Sequence, residues 1–129
     1  MAFPLSLPFA LQSAPATPLA IAGTFASFAL FLSVTAHLAA RNVLGDVPVR
    51  NAFVVGPVPA VVAIVVTTFG VSPLAGLLVA IALDGVAIHY LYGEAPRLSA
   101  YVTLIHFVVS VILGTIVFGV LAIVQSAPG

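Results

Sequence analysis

PLAGLLVAIALDGVAIHYLYGEAPR, residues 73–97, decides the fold. From Pro73 to Tyr92 it holds a single charge, Asp84, and is as long as the roughly 20 apolar residues a bilayer-crossing helix needs. Ser72 before it is a fitting N-cap, and Pro73 suits the first helical position, where its missing N–H costs nothing. Gly93 to Pro96 then turn the chain, and so short a turn makes the helices on either side antiparallel neighbours.

The same reading extends outward in both directions. Thr17-Pro18 opens an apolar run to about Ala40, with Arg41 placed where a cation suits the negative end of a helix dipole. Asn42 to Asn51 reads as a loop. A second run covers about 52–69, but Gly56-Pro57-Val58-Pro59 interrupts its start, and a helix beginning at Pro57 would be too short to cross. The expectation there is a kink or a wound-down first turn, tolerated in a membrane only where other groups satisfy the backbone. The fourth run, about 98–124, is longer than a bilayer requires, so it tilts or protrudes. The fold class is therefore all-α: a polytopic membrane protein with four transmembrane helices packed as two hairpins. Residues 1–17, broken by Pro4, Pro8 and Pro15 and lacking the basic start of a signal peptide, read as an irregular interfacial segment, with cleavage near Ala14 left open. Residues 126–129 form a short tail.

Composition agrees. Charged residues make up 5% of the 129, against roughly 25% in an ordinary globular domain. Arg41, Asp46 and Arg50 lie in one short stretch, Glu94 and Arg97 in another, and both fall on the same side of a four-span topology. All the arginines lie there, so the positive-inside rule puts loops 42–51 and 93–97 in the cytoplasm and both termini outside. Arg41, Arg50 and Arg97 are then topology determinants touching lipid headgroups. Tyr90, Tyr92 and Tyr101 sit near the same side, as an interfacial belt would. With zero net charge there is no footprint for nucleic acid. Absence of cysteine excludes disulfides and thiolate chemistry, and absence of lysine excludes Schiff bases and a P-loop. No GxSxG, HExxH or GxGxxG motif is present, and no catalytic residue or metal site is expected.

Asp84 carries the most chemical information. It lies about 12 Å inside its helix end at 1.5 Å per residue, where an unpaired charge is expensive. Gly76, Ala80 and Ala87 share its face, so that face can pack closely. His106 matches Asp84 in depth on the next helix, within a stripe of Ser99, Thr103, His106, Ser110 and Gly114 at helical spacing. Asp84, His106, Ser110 and Thr103 thus form a candidate site. In one reading it is a helix-packing lock; in the other it is a proton or cation site on a transport path. His37 and His89 lie at shallow depth. They read as interfacial histidines bonding loop backbone or headgroups, with bis-histidine haem ligation as the alternative.

The two charged loops resemble each other: Gly45-Asp46-Val47-Pro48-Val49-Arg50 and Gly93-Glu94-Ala95-Pro96-Arg97, each after a helix with a histidine near its end. A duplicated hairpin would give this, and so would the ordinary composition of short membrane loops. The stretch TAHLAARNVLGDVPVRNAFVVGPVPA, residues 35–60, resembles small multi-span membrane proteins of halophilic archaea without assigned function. That resemblance implies no site residues. The sequence points to a structural or accessory component, as a homo-oligomer or a subunit of a larger membrane assembly, and not to an enzyme. The alternative is a small proton- or cation-coupled transporter or channel using Asp84 and His106.

Overall fold

The computed structural model describes residues 17–127. Of the proline-rich N-terminal segment expected over 1–17, all but Thr17 lies outside the described residues, as do the last two residues of the tail. Five helices follow in order: α1 (Pro18–Leu44), α2 (Val49–Val55), α3 (Pro57–Phe69), α4 (Pro73–Tyr92) and α5 (Pro96–Ser126). α2 and α3 together form one apolar span, Val49–Phe69, so four helical spans are long and apolar enough to cross a membrane. This marks the chain as membrane-embedded.

Local chemistry explains the boundaries. The Thr17 hydroxyl accepts from the Ala20 N–H at 3.0 Å, satisfying one of the free donors at the start of α1. Ser72 does the same for Ala75 at 3.4 Å in α4. Gly93 closes α4 in the left-handed region (φ 66°), where a side chain would be strained, and its N–H reaches back to His89 O. α1 runs past the expected Ala40 to Leu44, because no breaker intervenes before Gly45. The loop expected over 42–51 is correspondingly shorter, since α2 already begins at Val49. Both loop glycines take positive φ, but Pro48 caps α2 from outside while Pro96 is the first residue of α5, so the two loops end differently.

Gly56 resolves the proline puzzle in the second span. It keeps right-handed helical angles (φ −56°, ψ −42°), and its N–H still bonds to Ala52 O at 2.9 Å. The chain therefore breaks its regular helix at Gly56 without unwinding. Pro57 and Pro59 lack the N–H groups that would otherwise complete the ladder across this junction. Gly56 is also where the second span meets the first: a Cβ there would lie 2.6 Å from Ser33 Cα. Only glycine permits that approach.

Contacts run around a ring. Each span touches its chain neighbours, and α1 and α5 close the ring. Nothing sets the first two spans apart from the last two as separate hairpins, and the backbones of spans on opposite corners stay apart. The Asn51 side-chain amide donates to Leu91 O at 3.2 Å, tying both charged loops to one end of the bundle. One packed core lies at this end, Ala36, Ala39, Ala40, Ala52, Val55, Ile88 and Val102, and a smaller one joins Ala29 and Leu32 of α1 to Ala60 of α3.

Candidate functional site

At mid-height three spans converge on His106. Counted from the charged end, Thr35 of α1, Asp84 of α4 and His106 of α5 lie within about two residues of the same depth, roughly 3 Å at 1.5 Å per residue. His106 is 3% exposed and Asp84 5%. His106 Nδ1 lies 2.6 Å from Asp84 Oδ2. On the far side of the ring, Nε2 lies 3.0 Å from Leu32 O and 3.1 Å from Thr35 Oγ1. The Thr35 hydroxyl donates back to Leu32 O at 3.1 Å and accepts from Ser110 Oγ at 2.8 Å.

This arrangement sets the protons. A carbonyl oxygen can only accept, so Nε2 carries a hydrogen and donates it to Leu32 O. Nδ1 and Oδ2 at 2.6 Å then require one proton between them. Placed on Nδ1 it makes an imidazolium–carboxylate pair; placed on Oδ2 it makes two neutral groups. The net charge of the pair is zero in both cases, which is how it escapes the cost of a bare buried charge. Asp84 Oδ1 is different: it is buried and has no hydrogen-bond partner among the described residues.

The pair forms the floor of a cavity of about 670 Å³. All four spans line it. It extends from Asp84 and His106 to Gly70 and Val71 in the turn opposite the charged loops. Along α4 the distance from Asp84 to Pro73 is roughly 16 Å at 1.5 Å per residue. Phe28, Phe31, Phe107 and Phe118 contribute to walls that are otherwise aliphatic.

The expected pairing of Asp84 with His106 is present, and Ser110 joins it through Thr35. Ser99 and Thr103 are buried with His106, so the polar stripe of α5 does face protein. Thr103 lines the cavity, but its hydroxyl bonds Ser99 O at 2.8 Å in its own helix, and it faces Gly85 of α4 rather than the pair. Thr35 and the Leu32 carbonyl are the residues that sequence reading missed. Thr35 lies at the depth of Asp84 in an otherwise apolar span, and that signal was available.

The shallow histidines are not brought together. His37 and His89 stand on α1 and α4, whose backbones stay apart, and neither lines the cavity. His89 Nδ1 lies 3.3 Å from Ser99 Oγ, and that hydroxyl lies 3.5 Å from Glu94 O, while His37 Nδ1 is buried without a partner. Among the described residues no cluster of three or more His, Cys, Asp or Glu could hold a metal ion. Arg41, Arg50 and Arg97 are exposed at the charged end. Tyr90 and Tyr101 are exposed beside them, whereas Tyr92 turns inward and buries an unpartnered hydroxyl.

Residues 15–128 match a family of unknown function, DUF7473. The chain belongs to DUF7473. No curated protein and no solved structure matches it. For this DUF7473 member, function must therefore be argued from the cavity and its floor.

Proposed function

We propose that this DUF7473 protein is a small membrane transport protein that holds and exchanges a proton at Asp84–His106. The observation carrying this reading is an ionisable pair that lines a cavity inside four apolar spans, Asp84 Oδ2 sharing a proton with His106 while Asp84 Oδ1 is buried without a partner among the described residues. A residue needed only to fasten helices would be expected to satisfy both oxygens, because a buried unpaired acceptor costs about 1–3 kcal/mol. Loss of one proton has a route within the same network: the hydrogen on Nε2 leaves, and the shared hydrogen settles on Nδ1. The carboxylate keeps accepting from Nδ1–H, and the Thr35 hydroxyl turns from Leu32 O to donate to Nε2. Ser110 continues to donate to Thr35 in both states. The alanine-packed end closes the path on the charged side, so transport requires that end to part.

A second reading is a structural or accessory subunit in which the pair is a clamp. It is supported by His106 bonding α1 and α4 at once. Proton and cation flux into liposomes holding purified protein, wild type beside Asp84→Asn, separates the two. Flux that disappears in a folded variant supports transport. A folded wild type without flux sinks it and leaves the clamp.

The remaining features belong to the same proposal. The protein has no enzymatic role, the charged loops face the cytoplasm and both termini face outside. It works as a homo-oligomer or beside other membrane subunits. The outer half of α5 supports that last point, with Phe118 75% and Ile123 70% exposed to lipid or a second copy. The resemblance to haloarchaeal proteins bears on the source of the chain, not on its role. Haem on His37 and His89 would give the purified protein a Soret band.

A further inference from the structure

We infer that α2 is the gate on the charged side, a seven-residue half-helix that swings about the Gly56–Pro59 junction and opens the seal between Asp84–His106 and the charged loops. This rests on the transport reading and deepens it by naming the element that moves, and the movement is measured without any flux.

Only the second span is divided where seal and cavity meet. α1, α4 and α5 pass that level as single helices, so one end cannot part from the bundle without moving the other. The second span is split at Gly56. Ala52 and Val55 of α2 are fully buried in the alanine-packed core, and no residue of α2 lines the cavity. Pro59, Val62 and Ala63 of α3 line the cavity instead. In an unbroken helix each N–H bonds the carbonyl four residues back, and Pro57 and Pro59 have no N–H to give Phe53 O and Val55 O. No other span carries a proline beyond its first residue. Bending between Val55 and Ala60 therefore breaks fewer bonds than bending within any other span.

The two ends of α2 are held as a pivot and a catch. At Gly56 the backbone lies so close to Ser33 of α1 that only glycine fits, which fixes the axis of the swing. Gly56 is buried and Pro59 lines the cavity, the two settings in which a broken helix is tolerated inside a bilayer. At the other end Asn51 donates to Leu91 O at 3.2 Å and ties α2 to α4. Before it, residues 45–48 join α1 to α2 without helix and give the half-helix slack. Such element ends absorb the backbone rotation of hinge motions. A swing of α2 would uncover Ala36, Ala39 and Ala40 of α1, Ile88 of α4 and Val102 of α5, the residues that share its core.

The chain has no cysteine, so an introduced one reports alone. The test is the rate at which a sulfonate-bearing methanethiosulfonate labels Val55→Cys in full-length protein held in lipid nanodiscs. The reagent's charge keeps it out of the apolar cavity, so it arrives from the charged end. Ala60→Cys is the comparison, equally buried but across the junction, against Ala29 and Leu32. Val55→Cys should label at least about tenfold faster than Ala60→Cys, because local opening costs less than global. Combining Pro57→Ala with Pro59→Ala lets two ladder bonds form that bending must break, and should slow Val55→Cys by about tenfold. Asn51→Leu releases the catch and should speed it by about threefold. Neither change should alter Ala60→Cys. Should Val55→Cys not fold, Ala52→Cys reports the same segment. Equal labelling at the two positions, or a Val55→Cys rate indifferent to the proline changes, overturns the inference. Gated labelling in a protein without flux would sink the transport reading and leave this one standing; flux with Val55→Cys never labelled would do the reverse.

Discussion

The two ends of the bundle are built from the same kinds of residue and packed to opposite ends. Toward the charged loops, Ala36, Ala39, Ala40 and Ala52 are buried almost completely, and Val55, Ile88 and Val102 fill the space between them. Toward the other end the helices carry comparable apolar side chains, yet they enclose a cavity of about 670 Å³. Small residues in register let backbones meet, and meeting backbones leave no room. Phe28, Phe31, Phe107 and Phe118 are among the residues that border this space. The Asp84–His106 pair lies on the boundary. One half is a seal, the other a vestibule, and the ionisable groups stand where they meet.

Substituting glycine by alanine in each half is the most direct way to break this comparison. In the sealed half, Gly56→Ala drives a Cβ to 2.6 Å from Ser33 Cα, and backbone cannot yield as a side-chain tip can. A loss of about 3 kcal/mol or more is expected, read as a lowered unfolding midpoint in detergent. If Gly56→Ala is neutral, the seal is not tight. Next in size is His106→Ala at the boundary, which leaves the Asp84 carboxyl without its partner and takes one of the side-chain donors from the Leu32 carbonyl. About 2–3 kcal/mol should be lost in the same assay, less than a water-soluble buried pair because membrane hydrogen bonds find substitutes when broken.

Asp84→Asn sharpens the boundary itself. It keeps size and can still bond His106, so stability should change by about 1 kcal/mol or less while liposome flux falls to background. A large stability loss would instead mark the pair as a clamp. Smallest of all is Gly114→Ala in the vestibule, where the new Cβ would meet only Phe31 Cζ at 3.7 Å. Ordinary contact plus better helix propensity predicts no loss and a gain of at most about 1 kcal/mol in unfolding free energy.

Much of this was legible in the chain. The span Pro73–Tyr92 and its caps follow from Ser72, Pro73 and Gly93, because caps and breakers act on their own few residues. The depth match of Asp84 and His106 follows from counting along two helices joined by a short turn. Gly56 was legible only as a breaker. Its contact with Ser33 depends on how two helices cross, and no local pattern encodes a crossing. Thr35 was overlooked for a related reason: a lone threonine in an apolar helix ordinarily bonds its own backbone, as Thr67 and Thr103 do here. Thr103 shows the converse, sharing the polar stripe of α5 yet standing outside the network.

By itself the sequence determined that this protein is helical, that it has four apolar spans, and that one carboxylate and one histidine lie at matching depth within them. Those properties are set by hydrophobic run length, by proline and glycine at helix ends and by the rise per residue, all local quantities. The tertiary structure alone decided that the ring closes through α1 and α5, that Leu32 O fixes the hydrogen on His106 Nε2, and that Asp84 and His106 line a cavity with Asp84 Oδ1 buried and unpartnered among the described residues. Each of these depends on which helix faces which and at what separation. Side-chain volumes from all four spans set that jointly, and no single segment contains it.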